Sequence, residues 1–325
     1  MAVIESHALR KEFGRRVAVE GLDLTIERGE VFGLLGPNGA GKTTTLMMLV
    51  TLLPPSSGTA RVNGWDVVSE ADRVRQSIGI VFQDQTLDTL LTGRENLELH
   101  ARLYGVPADV RGPRMRELLA LVDLEDRADE QVKKYSGGMR RRLEIARGLL
   151  HRPAALFLDE PTLGLDPQTR DRTWSYIRRV VRDEGTTVVL TTHYMDEADL
   201  MCDRVGIIDR GRIVALERPA ALKAALGGAV VRLRAAHADL DAVRAVAGVA
   251  GVESRDRAIE VSLREPHLHL AALLAAVPQV ESVEVHEPTL NDVFLKYTGR
   301  ELRRESEGEG EGWMETALRA NQGGR

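Results

Sequence analysis

A glycine-rich stretch near the N-terminus constrains this chain more than any other feature. The apolar run Val31–Leu35, typical of a buried strand, leads into residues 36–43, which match the pattern G-x-x-x-x-G-K-[ST]. The glycines let triphosphate oxygens approach the backbone, whose N–H groups form an anion-binding nest at the start of a helix. Lys42 can reach the β- and γ-phosphates, and the Thr43 hydroxyl can ligate Mg²⁺. The sequence therefore predicts a phosphate-binding loop between a buried strand and a helix.

The composition restricts the classes of protein to which this chain can belong. The 325 residues include 44 lysines and arginines against 49 aspartates and glutamates, and the net charge of −5 argues against binding nucleic acid through a general basic surface. Cys202 is the only cysteine, so an intramolecular disulfide is impossible and a cytosolic compartment fits. No stretch approaches the roughly 18 apolar residues that span a bilayer. If the protein serves a membrane process, another chain must supply the membrane part.

Three further predicted strands end close to a polar or charged side chain. These side chains are Gln83 after strand 78–82, Asp159 and Glu160 after strand 154–158, and His193 after strand 186–191. The carboxyl ends of strands are where α/β sheets bind ligands. Downstream of a phosphate loop, Asp159 can hold Mg²⁺, Glu160 can polarise an attacking water and His193 can donate to a γ-phosphate oxygen. Taken singly, a glutamine or a histidine at such a position is more often a loop or structural residue.

Two other features indicate contacts with a nucleotide. Ser136-Gly137-Gly138 precedes a predicted helix over 137–150, for which Ser136 is a good N-cap. A hydroxyl and bare N–H groups at a helix start can grip a second phosphate, and a flexible turn is the alternative. Phe13 lies in a polar turn upstream of the phosphate loop and can stack on a base. The residues alone favour a partly buried core phenylalanine at this position.

The remaining segments predict a helical region and a small additional module. Residues 92–150 are predicted to be helical, with a capping box at 92–95 and a second helix over 114–122. From about residue 228, short segments rich in alanine and valine predict the order strand–helix–strand–strand–helix–strand. A capping pattern at 289–292 then opens a last helix. We expect residues 301–325, rich in Glu, Gly and Arg, to be disordered.

These motifs, in this order, resemble the nucleotide-binding subunit of an ATP-binding-cassette (ABC) transporter over roughly residues 3–217. The resemblance implies an α/β fold with a P-loop NTPase core, an antiparallel β subdomain and a helical subdomain. The implied domains are an ATP-binding domain over 1–217, with its helical part at about 85–150, and a small C-terminal α+β domain over 228–300. The resemblance also implies ATP hydrolysis, with ATP as the nucleotide and Mg²⁺ as its metal.

The resemblance assigns roles to individual residues. ATP-binding roles fall on Phe13, Gly36, Pro37, Asn38, Gly39, Ala40, Gly41, Lys42, Thr43, Thr44, Ser136, Gly137, Gly138 and Asp166. Mg²⁺ is implied at Thr43, Gln83 and Asp159. Catalytic roles fall on Glu160, His193, Gln83 and Lys42. In the family's terms, residues 36–44 match the Walker A loop, Gln83 the Q-loop, 136–138 the signature, 156–159 the Walker B strand, 161–166 the D-loop and His193 the switch histidine.

Two departures from the family's pattern concern the signature and the aromatic residue. Tyr135 and Met139 stand where the usual signature has leucine and glutamine. Phosphate contacts come mainly from Ser136 and the glycine N–H groups, so binding should survive, whereas the contribution of the missing glutamine side chain is open. Phe13 stands where the family more commonly has tyrosine. This replacement keeps the stacking on adenine and loses only the hydroxyl.

A finer resemblance is to the daunorubicin/doxorubicin-resistance type of drug-export ATPases, through residues 92–97, 135–143 and 287–294. It implies a homodimer with ATP between residues 36–44 of one chain and 136–138 of the other, bound to a separate integral membrane permease at the cytoplasmic face of the cell membrane. Sister exporters of lipids or polysaccharides share much of this pattern. A soluble ABC ATPase acting in translation or DNA maintenance is a further alternative, which the single cassette and the negative charge disfavour. No nucleic-acid partner is expected.

Overall fold

The structure is a computed structural model that describes residues 2–235, 239–255 and 258–298. The predictions for residues 301–325 lie outside these residues. The elements in chain order are β1 (Ala2–Phe13), β2 (Arg16–Glu27), β3 (Val31–Leu35), α1 (Lys42–Leu49), β4 (Ser57–Val62), β5 (Trp65–Asp66), α2 (Ala71–Ser77), β6 (Ile78–Val81), α3 (Gly93–Leu103), α4 (Ala108–Leu121), α5 (Gly137–Gly148), β7 (Ala155–Asp159), α6 (Pro167–Glu184), β8 (Thr187–Thr192), α7 (Met195–Met201), β9 (Arg204–Asp209), β10 (Arg212–Glu217), α8 (Pro219–Ala224), β11 (Ala229–Ala235), α9 (Leu240–Arg244), β12 (Val249–Arg255), β13 (Ala258–Leu263), α10 (Pro266–Ala276), β14 (Val280–His286) and α11 (Leu290–Thr298).

A six-stranded sheet forms the centre of the molecule, in the order β10-β9-β3-β8-β7-β6. Five of its strands are parallel, and β10 closes one edge as the second strand of an antiparallel hairpin. Every residue of β3, β7 and β8 is buried, which explains their uninterrupted runs of apolar and β-branched residues. Because the strands are parallel, the segments that follow β3, β6, β7 and β8 all leave the same edge of the sheet.

A second sheet is antiparallel and covers one side of this centre. Its order is β2-β1-β4-β5, and β1 pairs with both β2 and β4. Its inward side chains, such as Ile4 and Leu24, share one core with Phe32 of β3 and Phe157 of β7. The predicted fold class, an α/β core with an antiparallel β subdomain, is confirmed.

The helical region joins the core through a second hydrophobic cluster. The capping box that opens α3 is present, because Thr92 Oγ1 accepts a hydrogen bond from Glu95 N and the Glu95 carboxylate accepts one from Thr92 N. The predicted helix over 114–122 begins earlier, at Ala108, and contains Pro113. The buried side chains of α4 all follow this proline and anchor that part of the helix beside α3 and α5. No helix in the described ranges is long and apolar enough to cross a membrane.

The C-terminal module forms a separate antiparallel sheet in the order β12-β13-β11-β14, and the predicted order of its strands and helices is confirmed. Val231, Leu233 and Val261 face Leu273 of α10 in its own small core. The last helix, α11, does not belong to that core. Its side chain Phe294 is buried in the cluster of the central sheet, against α7 and α8.

Candidate functional site

The glycine-rich loop between β3 and α1 is shaped by close backbone contacts. Gly41 has a φ of 108°, in the region that favours glycine, and stands directly before Lys42, the first residue of α1. A Cβ on Gly41 would lie 2.6 Å from the carbonyl oxygen of Ala18, and one on Gly36 would lie 2.3 Å from that of Ile208. Side chains at these positions would therefore displace the loop from the strands that hold it.

Lys42 is buried inside this loop. Its Nζ donates to the carbonyl oxygens of Gly36 at 2.8 Å and Pro37 at 3.3 Å. The same Nζ lies 3.6 Å from Oε1 of Glu160, and only 5% of the lysine is exposed. A buried ammonium is costly unless it is paired, so the loop carbonyls and this carboxylate together stabilise its charge.

Asp159 ends β7 with its carboxylate between two threonines. Its Oδ1 accepts hydrogen bonds from Thr43 Oγ1, at 3.3 Å, and from Thr191 Oγ1 of β8. Burial raises the pKa of Asp159, and the charge of Glu160 raises it further, whereas the two hydroxyls act in the opposite direction. A carboxylate and a hydroxyl that meet in a buried position are oxygen ligands of the kind that a hard divalent cation takes.

Glu160 lies beside both Lys42 and His193. Its Oε1 is 3.1 Å from His193 Nδ1, and its N–H donates to Thr191 Oγ1 at 3.1 Å. Its φ of 45° is unusual for a residue with a side chain. Burial alone would raise the pKa of Glu160, but the hydrogen bond with His193 and the charge of Lys42 outweigh it, so the pKa lies below its usual value. The carboxylate is therefore ionised at neutral pH and can act as a proton acceptor.

Gln83 and Phe13, two further predicted site residues, lie at exposed positions. Gln83 follows β6 at the same edge of the sheet and is exposed. Phe13 is the last residue of β1 and is 42% exposed, with Lys11 Nζ 5.2 Å from its ring centroid. It is therefore not the partly buried core residue that the residues alone favoured. Exposure leaves its ring free to stack on a ligand.

The signature and D-loop residues form a second group at the starts of α5 and α6. Ser136 caps α5 by accepting a hydrogen bond from Met139 N at 3.2 Å, as predicted. Asp166 caps α6 by accepting one from Thr169 N at 3.0 Å. The two helix starts are packed closely against each other, as the lack of space at Gly138 shows. A Cβ added to Gly138 would lie only 2.6 Å from Thr169 Cγ2.

The sequence did not indicate three buried polar residues that hold the site together: Thr191, Arg141 and Glu144. Thr191 occupies the carboxyl end of β8, and a polar residue at that place was a signal that could have been used. Arg141 is the middle of three consecutive arginines, and nothing in the sequence separates it from its neighbours. Glu144 is fully buried one turn further along α5.

Tyr135, the unusual residue before Ser136, is accommodated by a specific arrangement. Its ring is buried, and its hydroxyl donates to the Arg127 carbonyl at 2.6 Å. Burial raises the pKa of this hydroxyl, which keeps it protonated as a donor. A Cβ on Gly93 would lie 2.5 Å from the hydroxyl, so the absence of a side chain at 93 provides the space that the tyrosine uses.

We expect Gly93→Ala to lower the free energy of unfolding by about 1–3 kcal/mol, because the added methyl overpacks against the Tyr135 hydroxyl. Chemical denaturation measures this change. Gly112→Ala in α4 is the control, since its nearest neighbour would be 3.9 Å away and alanine favours helix, which predicts a gain of up to about 1 kcal/mol. The double variant with Tyr135→Phe should recover part of the loss. If Gly93→Ala and Gly112→Ala changed the free energy of unfolding equally, the packing argument would be contradicted.

Comparison with known proteins agrees with the motifs. The family model described as "ABC transporter" matches residues 19–163, and the model of the "ATP-binding protein DrrA1-3-like, C-terminal domain" matches residues 218–298. The chain is 44% identical over 305 residues to the daunorubicin/doxorubicin resistance ATP-binding protein DrrA of Streptomyces peucetius, covering 91% of this chain and 92% of that protein. The chain belongs to the ATP-binding proteins of the ABC transporter family. It is an ATPase subunit by this membership, and the predicted family and enzyme class are confirmed.

Two further matches show how widely this ABC ATP-binding protein shares its sequence and fold. The Nod factor export ATP-binding protein I of Ralstonia nicotianae is 40% identical over 310 residues, which cover 93% of this chain and 95% of that protein. The solved dimer of the ATP-binding cassette MJ0796, in a post-hydrolysis state bound to ADP and Pi, matches with a TM-score of 0.60 and 28% identity, over 66% of this chain and 98% of that one. These matches give no support to a role in translation or DNA maintenance.

Proposed function

We propose that this protein is the ATP-hydrolysing subunit of a drug or antibiotic exporter and that it drives a separate integral membrane permease from the cytoplasmic face of the cell membrane. One observation carries the hydrolytic part of the proposal. Lys42, Glu160 and His193 come from three separate parts of the chain and lie together beside the glycine-rich loop. Oε1 of Glu160 is 3.6 Å from Lys42 Nζ and 3.1 Å from His193 Nδ1. This combination of a cation, an ionised carboxylate and an imidazole suits hydrolysis of a terminal phosphate.

In the proposed reaction, the N–H groups of residues 36–44 hold the phosphates of ATP and Lys42 contacts their β- and γ-oxygens. Glu160 accepts the proton of the water that attacks the γ-phosphorus, the bond from that phosphorus to the β,γ-bridging oxygen breaks, and ADP and inorganic phosphate leave. His193 donates a hydrogen bond to a γ-phosphate oxygen as charge develops there. The ion pair between Lys42 and Glu160 opens when phosphate takes the ammonium, which releases the carboxylate for the water.

Thr43 and Asp159 are the residues that would hold Mg²⁺, with Gln83 at the neighbouring strand end. The raised pKa of buried Asp159 supports this assignment, because a cation beside it would compensate the charge that burial disfavours. When bound, Mg²⁺ neutralises charge on the phosphates during transfer.

The proposed active form is a homodimer in which the start of α5 grips the γ-phosphate of ATP held by the other copy. The open position of this helix start supports the role, because Ser136 is exposed and a Cβ added to Gly137 would meet no atom within 4 Å. Asp166 lies at the adjoining helix start, from which it would communicate between the two sites. Phe13 would stack on the adenine. The dimeric state of the similar MJ0796 cassette supports a dimer for this chain.

The exported compound is proposed from the relatives. The similarity to DrrA, which is named for daunorubicin/doxorubicin resistance, supports a drug or antibiotic as the exported compound. The similarity to a Nod factor export protein makes another kind of compound the second candidate. Contact with a permease is supported by three exposed leucines in the helical region, Leu90, Leu99 and Leu103. We propose the ATP-binding domain over 1–217 as the motor, and the domain over 228–300 as a structural attachment that assists dimerisation.

The dimer is tested with the Glu160→Gln variant, which should retain ATP. We expect light scattering to report twice the monomer mass when ATP and Mg²⁺ are added, and the monomer mass with ADP. Adding Ser136→Arg should keep this variant monomeric, because the bulky cation blocks the helix start. Ser175→Arg, at an exposed position on α6, is the matched control and should still dimerise. If the Glu160→Gln variant alone remained monomeric in saturating ATP, this result would contradict the proposal.

A further inference from the structure

Arg141 directs a buried guanidinium at the backbone of two separate segments of the site. Its partners at the end of β7 and directly after it are the carbonyl oxygens of Asp159 at 2.9 Å, Glu160 at 3.1 Å and Pro161 at 2.9 Å. Its partner after β6 is the carbonyl oxygen of Phe82, the residue before Gln83. Arg141 is buried, with 7% of its surface exposed. One planar group thus joins the segment that carries Gln83 to the segment that carries Glu160.

Glu144 and Arg147 extend this connection from the same face of α5. Glu144 lies 3.3 Å from Arg141 and also accepts a hydrogen bond from Thr86 N at 2.8 Å. Arg147 donates to the carbonyl oxygen of Thr86 at 3.0 Å and to its hydroxyl. Both ends of residues 82–86 are therefore fastened to α5, with Gln83 between the two attachments.

The shape of the guanidinium explains why an arginine occupies this place. It presents five donors in a rigid plane, whereas a lysine ammonium is a single point charge that cannot reach carbonyls on both segments. Its neighbours do not make the same connection. Arg142 donates to the carbonyl oxygen of Val122, and Arg140 donates to that of Val132 and to Gln85 Oε1 at 3.2 Å, without contacting residues 159–161. The contacted backbone also includes Glu160, whose φ of 45° persists only when its surroundings hold it.

We propose that Arg141 is a positioning residue for ATP hydrolysis, which holds Gln83 at a fixed place relative to Glu160. Because Ser136 caps the start of α5, one helix connects the Ser136 hydroxyl, which would meet the partner's ATP, to the segments that carry Gln83 and Glu160 of its own site. This inference rests on the proposed hydrolytic roles of Gln83 and Glu160. It adds a residue to which the motifs assign no part.

The test compares Arg141→Lys with Arg114→Lys. Arg114 is a matched control because it is 5% exposed, pairs with Glu184 and donates to the Leu149 carbonyl, away from the loop. Both variants should lower Tm. Only Arg141→Lys should lower kcat, by on the order of 10- to 100-fold, as expected when reacting groups are misplaced. KM for ATP should stay within about threefold of the wild-type value, since the contacts of Arg141 lie after β6 and β7 rather than in residues 36–44.

The double variant Arg141→Lys with Gln83→Ala distinguishes positioning of Gln83 from a purely structural role, because its kcat is compared with those of the two single variants. If Arg141 acts by placing Gln83, the double variant should be little slower than the slower single variant, whereas independent effects would multiply. The inference is overturned by unchanged kcat in Arg141→Lys, by an equal fall in Arg114→Lys, or by loss of ATP binding together with activity. A wild-type protein without ATPase activity would instead refute the proposed function itself.

Discussion

Replacing Glu160 by glutamine is expected to abolish steady-state ATP hydrolysis while ATP binding persists. The substitution keeps the size of the side chain and removes the carboxylate that would accept the proton of water, a contribution on the order of 10²- to 10⁴-fold in rate. Binding should survive because Lys42 loses one neighbour but keeps its contacts with the loop carbonyls. Phosphate release measures turnover, and calorimetric titration with ATP and Mg²⁺ measures binding.

Glu30→Gln is the matched control for this experiment. The Glu30 side chain is 11% exposed against 10% for Glu160, and it also pairs with a cation, Arg204. It precedes β3, whereas the phosphate loop follows that strand, so it lies at the opposite edge of the sheet. We expect turnover in Glu30→Gln within about threefold of the wild type, since no reacting group is touched. Wild-type turnover in Glu160→Gln would remove that residue from its proposed role.

Sequence reasoning predicted the elements whose cause is local. The buried strands β3, β7 and β8 are apolar or β-branched throughout their interiors, and Thr92, Ser136 and the glycine loop carry their capping and phosphate-binding signals within a few residues. The meeting of the phosphate loop with Asp159, Glu160 and His193 was also predictable, because parallel strands place their carboxyl ends together. Thr43 and Asp159 are 116 positions apart in the chain, yet the sheet brings them to one edge.

Features that depend on distant packing were not predictable. Arg141 matters because Phe82 and residues 159–161 come within its reach, and this follows from how β6 and β7 pair. Helix α4 contains Pro113, although proline usually ends a helix, and the buried side chains that anchor α4 beside α3 and α5 all follow this proline. Helix α11 packs on α7 and α8, and its capping pattern contains no information about its partner.

Replacing Lys42 by alanine is expected to weaken ATP binding by on the order of 100-fold, because charge-assisted hydrogen bonds to phosphate are lost. The ammonium lies 3.6 Å from the Glu160 carboxylate and lowers its pKa, and we expect the phosphates of ATP to take over this charge from the carboxylate. Titration of the variant with a non-hydrolysable ATP analogue measures the affinity without interference from turnover.

Lys223→Ala is the control for Lys42→Ala, because Lys223 also holds a carboxylate, Asp199 at 2.7 Å, but lies in α8. Its affinity for the analogue should match that of the wild type. The two substitutions at the site then separate binding from chemistry: Lys42→Ala loses affinity, whereas Glu160→Gln loses turnover and keeps affinity. An unchanged affinity in Lys42→Ala would count against residues 36–44 as the phosphate-binding loop, because the Gly36 and Pro37 carbonyls hold the Lys42 ammonium within that loop.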